Sequence, residues 1–253
     1  MRSRFHLLAV VLAVSAAAAE RTVESVLPAL AYGPACSSTV RLQNLSDTPV
    51  TVELEGHRAS GALAPLAGIA GRTVRLDSGQ QTSYQLEIEE ETTRAWVTLR
   101  ERVAAPSMSA VALSGATECR DGNQLRVAPR EVAFPTRSPW FSGDVAELRG
   151  AIVTMINASY QTARASACYS AGSLYSVPNS GGELRSLCSA TVDVQVPPFG
   201  TREFPVERSG NSQFSLRTQG DSIVLQMLRP GNDGVRIYSV DSSIQFGEEV
   251  PGK

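Results

Sequence analysis

The sequence predicts an all-β protein in which two β-sandwich domains follow one another along the chain. Three observations support this fold class. An apolar segment that ends in Asn-x-Ser occurs twice, at residues 40–46 and 153–159, and the two asparagines are 113 positions apart (157 minus 44). Alternating apolar and polar runs follow each copy, separated by turn residues roughly every ten positions, as in sandwich domains. No stretch of about a dozen residues has a helical hydrophobic period.

Residues 1–19 form a predicted signal peptide that precedes the first domain. Arg2 and Arg4 supply a basic start, residues 5–16 are mostly apolar, and residues 17–19 are alanines that fit a cleavage site. The apolar run of about 15 residues is shorter than the roughly 20 that a membrane-spanning helix needs. We therefore expect no transmembrane segment and an exported protein, located in the periplasm, on the cell surface or in the medium.

The charge of the chain gives no support for nucleic acid as a partner. The sequence has 23 basic and 25 acidic residues, and removing Arg2 and Arg4 leaves 21 against 25, a net charge of −4. No long basic tract occurs, and the one lysine is Lys253. A mildly acidic chain does not attract a phosphate backbone or an anionic membrane.

Four cysteines follow the leader: Cys36, Cys119, Cys168 and Cys188. An even number in an exported chain predicts disulfides, and four cysteines allow three pairings. The boundary between the two copies of the repeat favours Cys36–Cys119 in the first domain and Cys168–Cys188 in the second. A metal site is the alternative, but no C-x-x-C pair occurs and one histidine follows the leader.

The first domain is predicted to span residues 20–127. Its first strand, Val23 to Leu27, should stop at Pro28, because proline cannot donate to a sheet ladder. Alternation over residues 50–55 predicts a strand with one buried face. Further strands are predicted at residues 74–76, 84–88, 95–99 and 110–113, with a loop or a weak edge strand at 60–71 and a turn at 77–79.

The second domain is predicted to span residues 128–253 and to repeat this order. A polar linker, Arg126 to Arg130, should connect the domains, and Val132 to Phe134 should form the first strand. Compared with the first domain, about six extra residues precede the repeated segment, around residues 138–143. Further strands are predicted at residues 163–167, 192–196, 204–206, 223–227 and 235–240.

The succession of elements resembles the immunoglobulin-like domains of exported bacterial proteins. In the first half, the strand at residues 40–44, the Asn-x-Ser turn, the strand at 50–54 and the glycine turn at 77–79 follow this order. The resemblance covers nearly the whole chain after the leader. It implies two tandem immunoglobulin-like β-sandwich domains, and it specifies a fold rather than an activity.

His57 is the candidate acid–base group after the leader. It follows Glu53 and Glu55 at alternate positions, so the three side chains could share one strand face and hold a metal or transfer protons. The simpler interpretation places both glutamates on the solvent face of a half-buried strand and His57 in the loop after Gly56. We prefer it, because the alternation is then explained without chemistry.

Three other motifs suggest chemistry but have simpler explanations. Glu87 and residues 89–91 form an acidic cluster that resembles paired catalytic carboxylates, yet such a run at a strand end is usually solvated. Residues 232–234 lack the spaced carboxylates of a calcium loop. Asn44 and Asn157 match the glycosylation pattern, but we predict that their side chains bond turn backbone. We predict no catalytic residues, no cofactor and no enzyme activity.

Two groups of residues are candidate contact surfaces for a partner. Trp96 lies on the same strand phase as Arg100, opposite to the apolar phase, and both residue types are enriched at interfaces. Burial against the other domain is the alternative for Trp96. The second group lies in predicted loops, which often carry function. It comprises Trp140, Phe141, Tyr169 and Tyr175.

These observations favour a non-catalytic exported protein that acts in adhesion, envelope structure or protein–protein interaction. Its partner would be another exported or envelope protein. One alternative is a periplasmic chaperone similar to those that assemble pili, which hold the carboxylate of a client with an arginine and a lysine; this chain has no lysine before Lys253. A carbohydrate-binding module is the other alternative, and it would need exposed aromatic residues such as Trp96 or Trp140.

Overall fold

In the part of the chain that the computed structural model describes, β-strands make up all the regular secondary structure, which confirms the all-β class. The signal peptide predicted at residues 1–19 lies outside the described residues. The described residues are 20–69, 71–87, 91, 93–104, 108–121, 124–130, 132–146, 148, 150–170, 188–206, 213–231 and 234–239.

The N-terminal half, residues 20–130, forms two antiparallel sheets. Its strands are β1 (Glu20–Tyr32), β2 (Cys36–Asn44), β3 (Val50–Arg58), β4 (Leu66–Ala67), β5 (Thr73–Leu76), β6 (Gln81–Leu86), β7 (Thr93–Ala104), β8 (Val111–Asp121) and β9 (Gln124–Arg130). The strand orders are β1-β7-β3-β5 and β4-β6-β2-β8-β9. One cluster of buried apolar side chains draws on both sheets, so the sheets enclose a common core.

The C-terminal half, residues 140–239, has the same construction. Its strands are β10 (Trp140–Asp144), β11 (Ile152–Asn157), β12 (Ala163–Ser170), β13 (Ala190–Val196), β14 (Thr201–Pro205), β15 (Gln213–Gln219), β16 (Ile223–Gly231) and β17 (Gly234–Ser239). The strand orders are β10-β15-β12-β13 and β14-β11-β16-β17, again around one core. Ala163, Ala165 and Ala167 point into that core, as the alternation predicts.

The two halves share one topology. The order β1-β7-β3-β5 corresponds to β10-β15-β12-β13, and β6-β2-β8-β9 corresponds to β14-β11-β16-β17; β4 is an addition in the N-terminal half. In the N-terminal half, β2 pairs with β6 and β3 pairs with β7 near the centres of the two sheets. Strand β1 lies beside β7, and β8 lies beside β2.

Both disulfides have the predicted pairing. Cys36 and Cys119 face each other across β2 and β8, with 83 positions between them in sequence. Cys168 of β12 is bonded to Cys188, which lies 20 positions later and just before β13. Each half therefore has one covalent link within its own sheets.

Asn44 and Asn157 make the same hydrogen bonds in the two halves, which confirms their predicted structural role. The buried Asn44 Nδ2 donates to the carbonyl oxygens of Thr48 (2.8 Å), Leu76 (3.3 Å) and Asp77 (3.0 Å). Its Oδ1 accepts from the amide and the hydroxyl of Ser46. The amide group is saturated, so it ties the turn after β2 to the turn after β5.

The predicted end of the first strand at Pro28 is wrong. Strand β1 continues to Tyr32, and its pairing with β7 shifts register between Leu27 and Leu30. Ala29, within this irregularity, has a φ of 55°. Because β1 is an edge strand, the missing N–H of Pro28 costs no ladder hydrogen bond.

The predicted linker, Arg126 to Arg130, is also wrong. These residues belong to β9, an edge strand that pairs with β8 along its whole length and can therefore contain a proline. Strand β8 runs from Val111 to Asp121 and does not end at Leu113. The halves are connected instead by residues 132–139, where the predicted strand is reduced to a single bridge with β1.

Candidate functional site

The two halves meet through a third buried apolar cluster, which we call the junction. It comprises Val26, Trp96, Ala133, Ile156, Ala158 and Val224, with Phe199 packed against them. Val26 and Trp96 lie on β1 and β7 and point away from the N-terminal core. Ile156 and Val224 lie on β11 and β16, whose inward side chains fill the C-terminal core. The junction therefore joins the outer faces of two sheets.

Trp96 occupies the centre of the junction. The alternation of β7 directs Ala95 and Val97 into the N-terminal core and Trp96 to the opposite face, as predicted. The indole retains only 1% exposure. The outer face that we considered for an external partner is thus covered by the other half of the same chain.

His57 lies between aromatic rings of both halves. Its ring centroid is 4.6 Å from that of Trp96 and 4.5 Å from that of Phe199, with 6° between the planes of the latter pair. Its Nε2 is 3.4 Å from Thr98 Oγ1, and its Nδ1 has no hydrogen-bond partner in the described part of the chain. The imidazole therefore acts as a flat packing element of the junction.

Burial is the main cause that lowers the pKa of His57 to about 3, and the positive charges of Arg100 and Arg72 lower it further. The ring is neutral near pH 7. Glu55 Oε2 lies 3.8 Å from its Nε2, but Glu55 also binds Arg72 at 2.8 Å and Arg100 at 3.0 Å. The Glu55 carboxylate is thus shared among His57 and two guanidinium groups.

The predicted solvent exposure of Glu55 is wrong, and so is the predicted loop position of His57, which lies in β3. Both are buried, because the C-terminal half covers this part of β3. We expected Gly56 to end the strand, but β3 continues to Arg58. A Cβ at this position would lie 2.3 Å from the carbonyl oxygen of Ala64, so glycine is required by the close approach of the following loop.

Arg100 links carboxylates of the N-terminal half to the C-terminal half. Its Nε donates to Glu24 at 2.7 Å and its Nη1 to Glu55 at 3.0 Å. Its Nη2 donates to the carbonyl oxygen of Ala158 at 3.3 Å, and the guanidinium lies 5.2 Å from the centroid of Tyr160. Burial lowers the pKa of Arg100, but the charge and hydrogen bonds of the carboxylates outweigh it and raise the pKa above its usual value. The cation is held by its neighbours.

Asn157 positions the two aromatic residues that close over Arg100. Its Nδ2 donates to the carbonyl oxygens of Gln161 (2.7 Å) and Pro197 (2.9 Å), one in each of two turns. Tyr160 lies in the first turn and Phe199, with a φ of 55°, lies in the second. The repeated asparagine thus has an additional effect in the C-terminal half, because it fixes both turns that reach the other half.

A cleft of about 280 Å³ opens at the edge of the junction. Arg100 and Glu24 line it from the N-terminal half, and the hydroxyl of Ser222 bridges to Glu24 across the junction. The exposed ring of Tyr160 stands at its rim. The residues that line the cleft include Glu24, Arg100, Tyr160, Gln161, Asp221 and Ser222. This is the candidate functional site.

The second predicted contact group is not brought together. Trp140 and Phe141 lie in strand β10 rather than a loop; Trp140 is 43% exposed, whereas Phe141 packs against Phe214 in the C-terminal core. Tyr169 belongs to β12, is buried, and donates its hydroxyl to the carbonyl oxygen of Pro205 at 2.6 Å. Tyr175 lies outside the described residues. Of the described members, Trp140 alone offers a large exposed surface.

Sequence reasoning missed Glu24, Tyr160 and Phe199. Tyr160 directly follows the second Asn-x-Ser, so the repeat could have indicated its position on a rigid turn. Glu24 and Phe199 had no local signal, because their role depends on the other half of the chain. Residues 88–90 of the acidic cluster and residues 232–233 lie outside the described residues. In the described ranges, no three His, Cys, Asp or Glu residues are grouped to hold a metal ion.

The described part of the chain contains no helix with the length and apolar character of a membrane span. Comparison of the chain with protein-family models, with curated proteins and with solved structures gives no match. Function must therefore be argued from the site.

Proposed function

We propose that this chain is a non-catalytic exported protein that binds another exported or envelope protein and serves adhesion or assembly. In this proposal it consists of two tandem β-sandwich domains of immunoglobulin-like type, in which the first and last strands have exchanged sheets. The junction holds the domains as one rigid unit that presents its surfaces in a constant orientation.

The use of His57 in packing is the observation that carries this proposal. His57 is the only histidine outside residues 1–19, and triad-type or acid–base catalysis at neutral pH usually depends on an accessible imidazole. Here the ring is buried between Trp96 and Phe199 and is neutral. Its neighbour Glu55 is paired with two arginines. The candidate catalytic groups are therefore used to join the halves.

Two further features support export and a two-domain organisation. All four cysteines form disulfides, which persist in oxidising compartments outside the cytosol. Each half has its own core, its own disulfide and the same strand order. Domains are recognised by such separate cores.

The chaperone alternative gains no support from the geometry. The resemblance to pilus chaperones requires a cation free to hold the carboxylate of a client, yet Arg100 already binds Glu24, Glu55 and Ala158. Strand β8 pairs with β2 on one side and with β9 on the other, so its backbone is not available to a client strand.

Trp140 supports a partner surface on the C-terminal half. Trp140 lies on the edge strand β10, directly opposite Arg217 of β15, and both residues are exposed. Tryptophan and arginine are the residue types that most often dominate binding energy at protein interfaces. The exposed part of this aromatic side chain, on a sheet edge, is available to a partner.

The proposal is tested by crosslinking in cells of the native host. The chain is tagged at its C-terminus, crosslinked in intact cells and purified, and the captured proteins and their compartment are identified. We expect one abundant envelope or extracellular protein whose capture falls in Trp140→Ala. Phe134→Ala is the matched control, since Phe134 is 64% exposed but lies in the connecting segment.

Three outcomes would contradict the proposal. Capture of many unstable clients would indicate a chaperone. Location of the protein in the cytosol would remove the export that the proposal requires. Recovery from the medium without any crosslinked protein would exclude an envelope or adhesion role.

A further inference from the structure

The cleft at the junction contains an aromatic ring that is rigid and yet largely exposed. Tyr160 is 66% exposed. The Asn157 side chain fixes its turn, Phe199 packs edge-on against the ring at 4.8 Å, and the Arg100 guanidinium lies 5.2 Å from the centroid. A ring held in this way loses little conformational entropy when a ligand packs on its open surface.

The polar groups around the ring are not equally available. Glu24 accepts from Arg100 with one oxygen and from Ser222 with the other, so both oxygens are occupied within the protein. Asp221 is different. Its side chain is exposed and has one ionic contact, 3.6 Å from Arg137, which is also exposed. Asp221 and the neighbouring Gln161 are therefore the groups at the cleft that can exchange water for a ligand.

Each guanidinium at the cleft already has a carboxylate partner, which disfavours an anionic ligand. Asp221 lies 3.6 Å from Arg137, and Glu24 is paired with Arg100. The Arg100 guanidinium donates to Glu24, Glu55 and Ala158, so an anion would have to displace existing partners. A ligand with hydroxyl groups fits better, because hydroxyls donate to the Asp221 carboxylate and both donate to and accept from the Gln161 amide.

A ligand that combines an apolar ring face with many hydroxyls is a sugar residue. We propose that the cleft binds a neutral sugar residue of a glycan, which packs on Tyr160 and hydrogen-bonds to Asp221 and Gln161. The volume of about 280 Å³ suits one or two sugar residues rather than a folded protein segment. This site is independent of Trp96 and Trp140, the residues in which the sequence suggested carbohydrate binding.

This inference goes beyond the proposed function and does not depend on it. A protein partner captured through Trp140 would leave the cleft free for a glycan, and a glycan site could exist without that partner. The two proposals therefore fail separately, since one is tested by crosslinking in cells and the other by binding of purified oligosaccharides.

The test uses the purified full chain on an array of chito-, cello-, malto- and galacto-oligosaccharides, followed by calorimetry with the best ligand. Tyr160→Ala should weaken binding at least about tenfold, and Asp221→Asn should weaken it severalfold. Phe134→Ala is the matched control, because Phe134 is an exposed aromatic residue outside the cleft, and this variant should bind like the parent chain. Asp221→Asn keeps the test valid if Tyr160→Ala does not fold, because Asp221 is on the surface.

Two results would overturn the inference. The first is the absence of binding to every oligosaccharide at about 1 mM, or binding that Tyr160→Ala and Asp221→Asn leave unchanged. The second is binding of oligolysine, but of no neutral glycan, that is lost in Asp221→Asn. That result would assign the cleft to a cationic side chain of a protein partner instead.

Discussion

The N-terminal and C-terminal halves have the same strand order but different outer faces. In both halves the segment that ends in Asn-x-Ser forms the central strand of one sheet, β2 or β11, and the asparagine makes equivalent bonds. The residue before the asparagine points to the outer face. It is Gln43, exposed, in the N-terminal half and Ile156, buried in the junction, in the C-terminal half.

Two neighbouring positions follow the same rule. Leu45 corresponds to Ala158, because each follows its asparagine. Ala112 corresponds to Val224, since Val111 pairs with Asn44 as Ile223 pairs with Asn157. The C-terminal members are buried, whereas Leu45 is 65% exposed. This face of the common fold thus carries apolar side chains where it docks against the other half. Where it faces water, it carries a mixture of polar and apolar side chains.

The face is therefore docked in the C-terminal half and open to water in the N-terminal half. The opposite face differs as well. By register, the Arg100–Glu24 pair of the N-terminal half corresponds to Arg217 and Trp140 in the C-terminal half. Arg100 and Glu24 are bonded to each other and to further groups of the chain, whereas Arg217 and Trp140 are exposed. The predictions below compare matched positions of the two halves.

The largest expected effect concerns the disulfides. Replacing Cys36 and Cys119 by serine should cost about 4.5 kcal/mol of unfolding free energy, whereas replacing Cys168 and Cys188 should cost about 3 kcal/mol, because the first bond closes 83 positions and the second 20. Denaturant unfolding of both double variants measures this. An equal or reversed order would contradict loop closure as the dominant contribution.

The two tryptophans should differ from each other by more than the two disulfides do. Trp96→Ala should destabilise the protein by about 3–5 kcal/mol, because it leaves a cavity in the junction. Trp140→Ala should cost less than about 1 kcal/mol, since Trp140 is exposed on an edge strand. Thermal and denaturant unfolding measure both. A small effect of Trp96→Ala would mean that the junction contributes little to stability.

The two asparagines should have similar energies and different consequences. Asn44→Ala and Asn157→Ala each leave buried carbonyl groups without a donor and should each cost about 2–3 kcal/mol. Asn157→Ala alone should also alter the environment of Trp96, because it releases the turn that carries Phe199. Fluorescence of Trp96 in a Trp140→Phe background reports this change. Equal spectra for both variants would show that the junction does not depend on Asn157.

The smallest effect, counted for each pH unit, is a pH dependence that belongs to His57. Its pKa is about 3 in the folded chain and 6.5 in the unfolded chain, so below pH 6.5 the unfolded chain binds a proton that the folded chain does not. The contribution of the buried, neutral His57 to the unfolding free energy is fully present above pH 6.5. It is lost as the pH falls toward 3, by up to about 1.4 kcal/mol per pH unit. Stability curves of the parent and His57→Phe should diverge in this window. Parallel curves would contradict the burial of His57.

Much of each half could be predicted from local sequence. Alternation identified the strands around Val52 and Ala165, because a strand with one buried and one solvent-exposed face needs alternating apolar and polar side chains. The repeat and the cysteine positions predicted the disulfide pairing. The linker and the end of β1 were mispredicted, because Pro28 and Pro129 lie in edge strands, where proline interrupts nothing.

The sequence by itself determined the all-β class, the disulfides and the structural use of Asn44 and Asn157, since each depends on neighbours in sequence or on a repeat. The tertiary structure alone decided the functional site. Glu55, His57 and Trp96 alternate with core residues as exposed residues do, and they are buried because a second sheet covers them. Tyr160 and Glu24 come together from opposite halves. Periodicity reports which face of a strand points away from its own core, and it carries no information about what packs on that face.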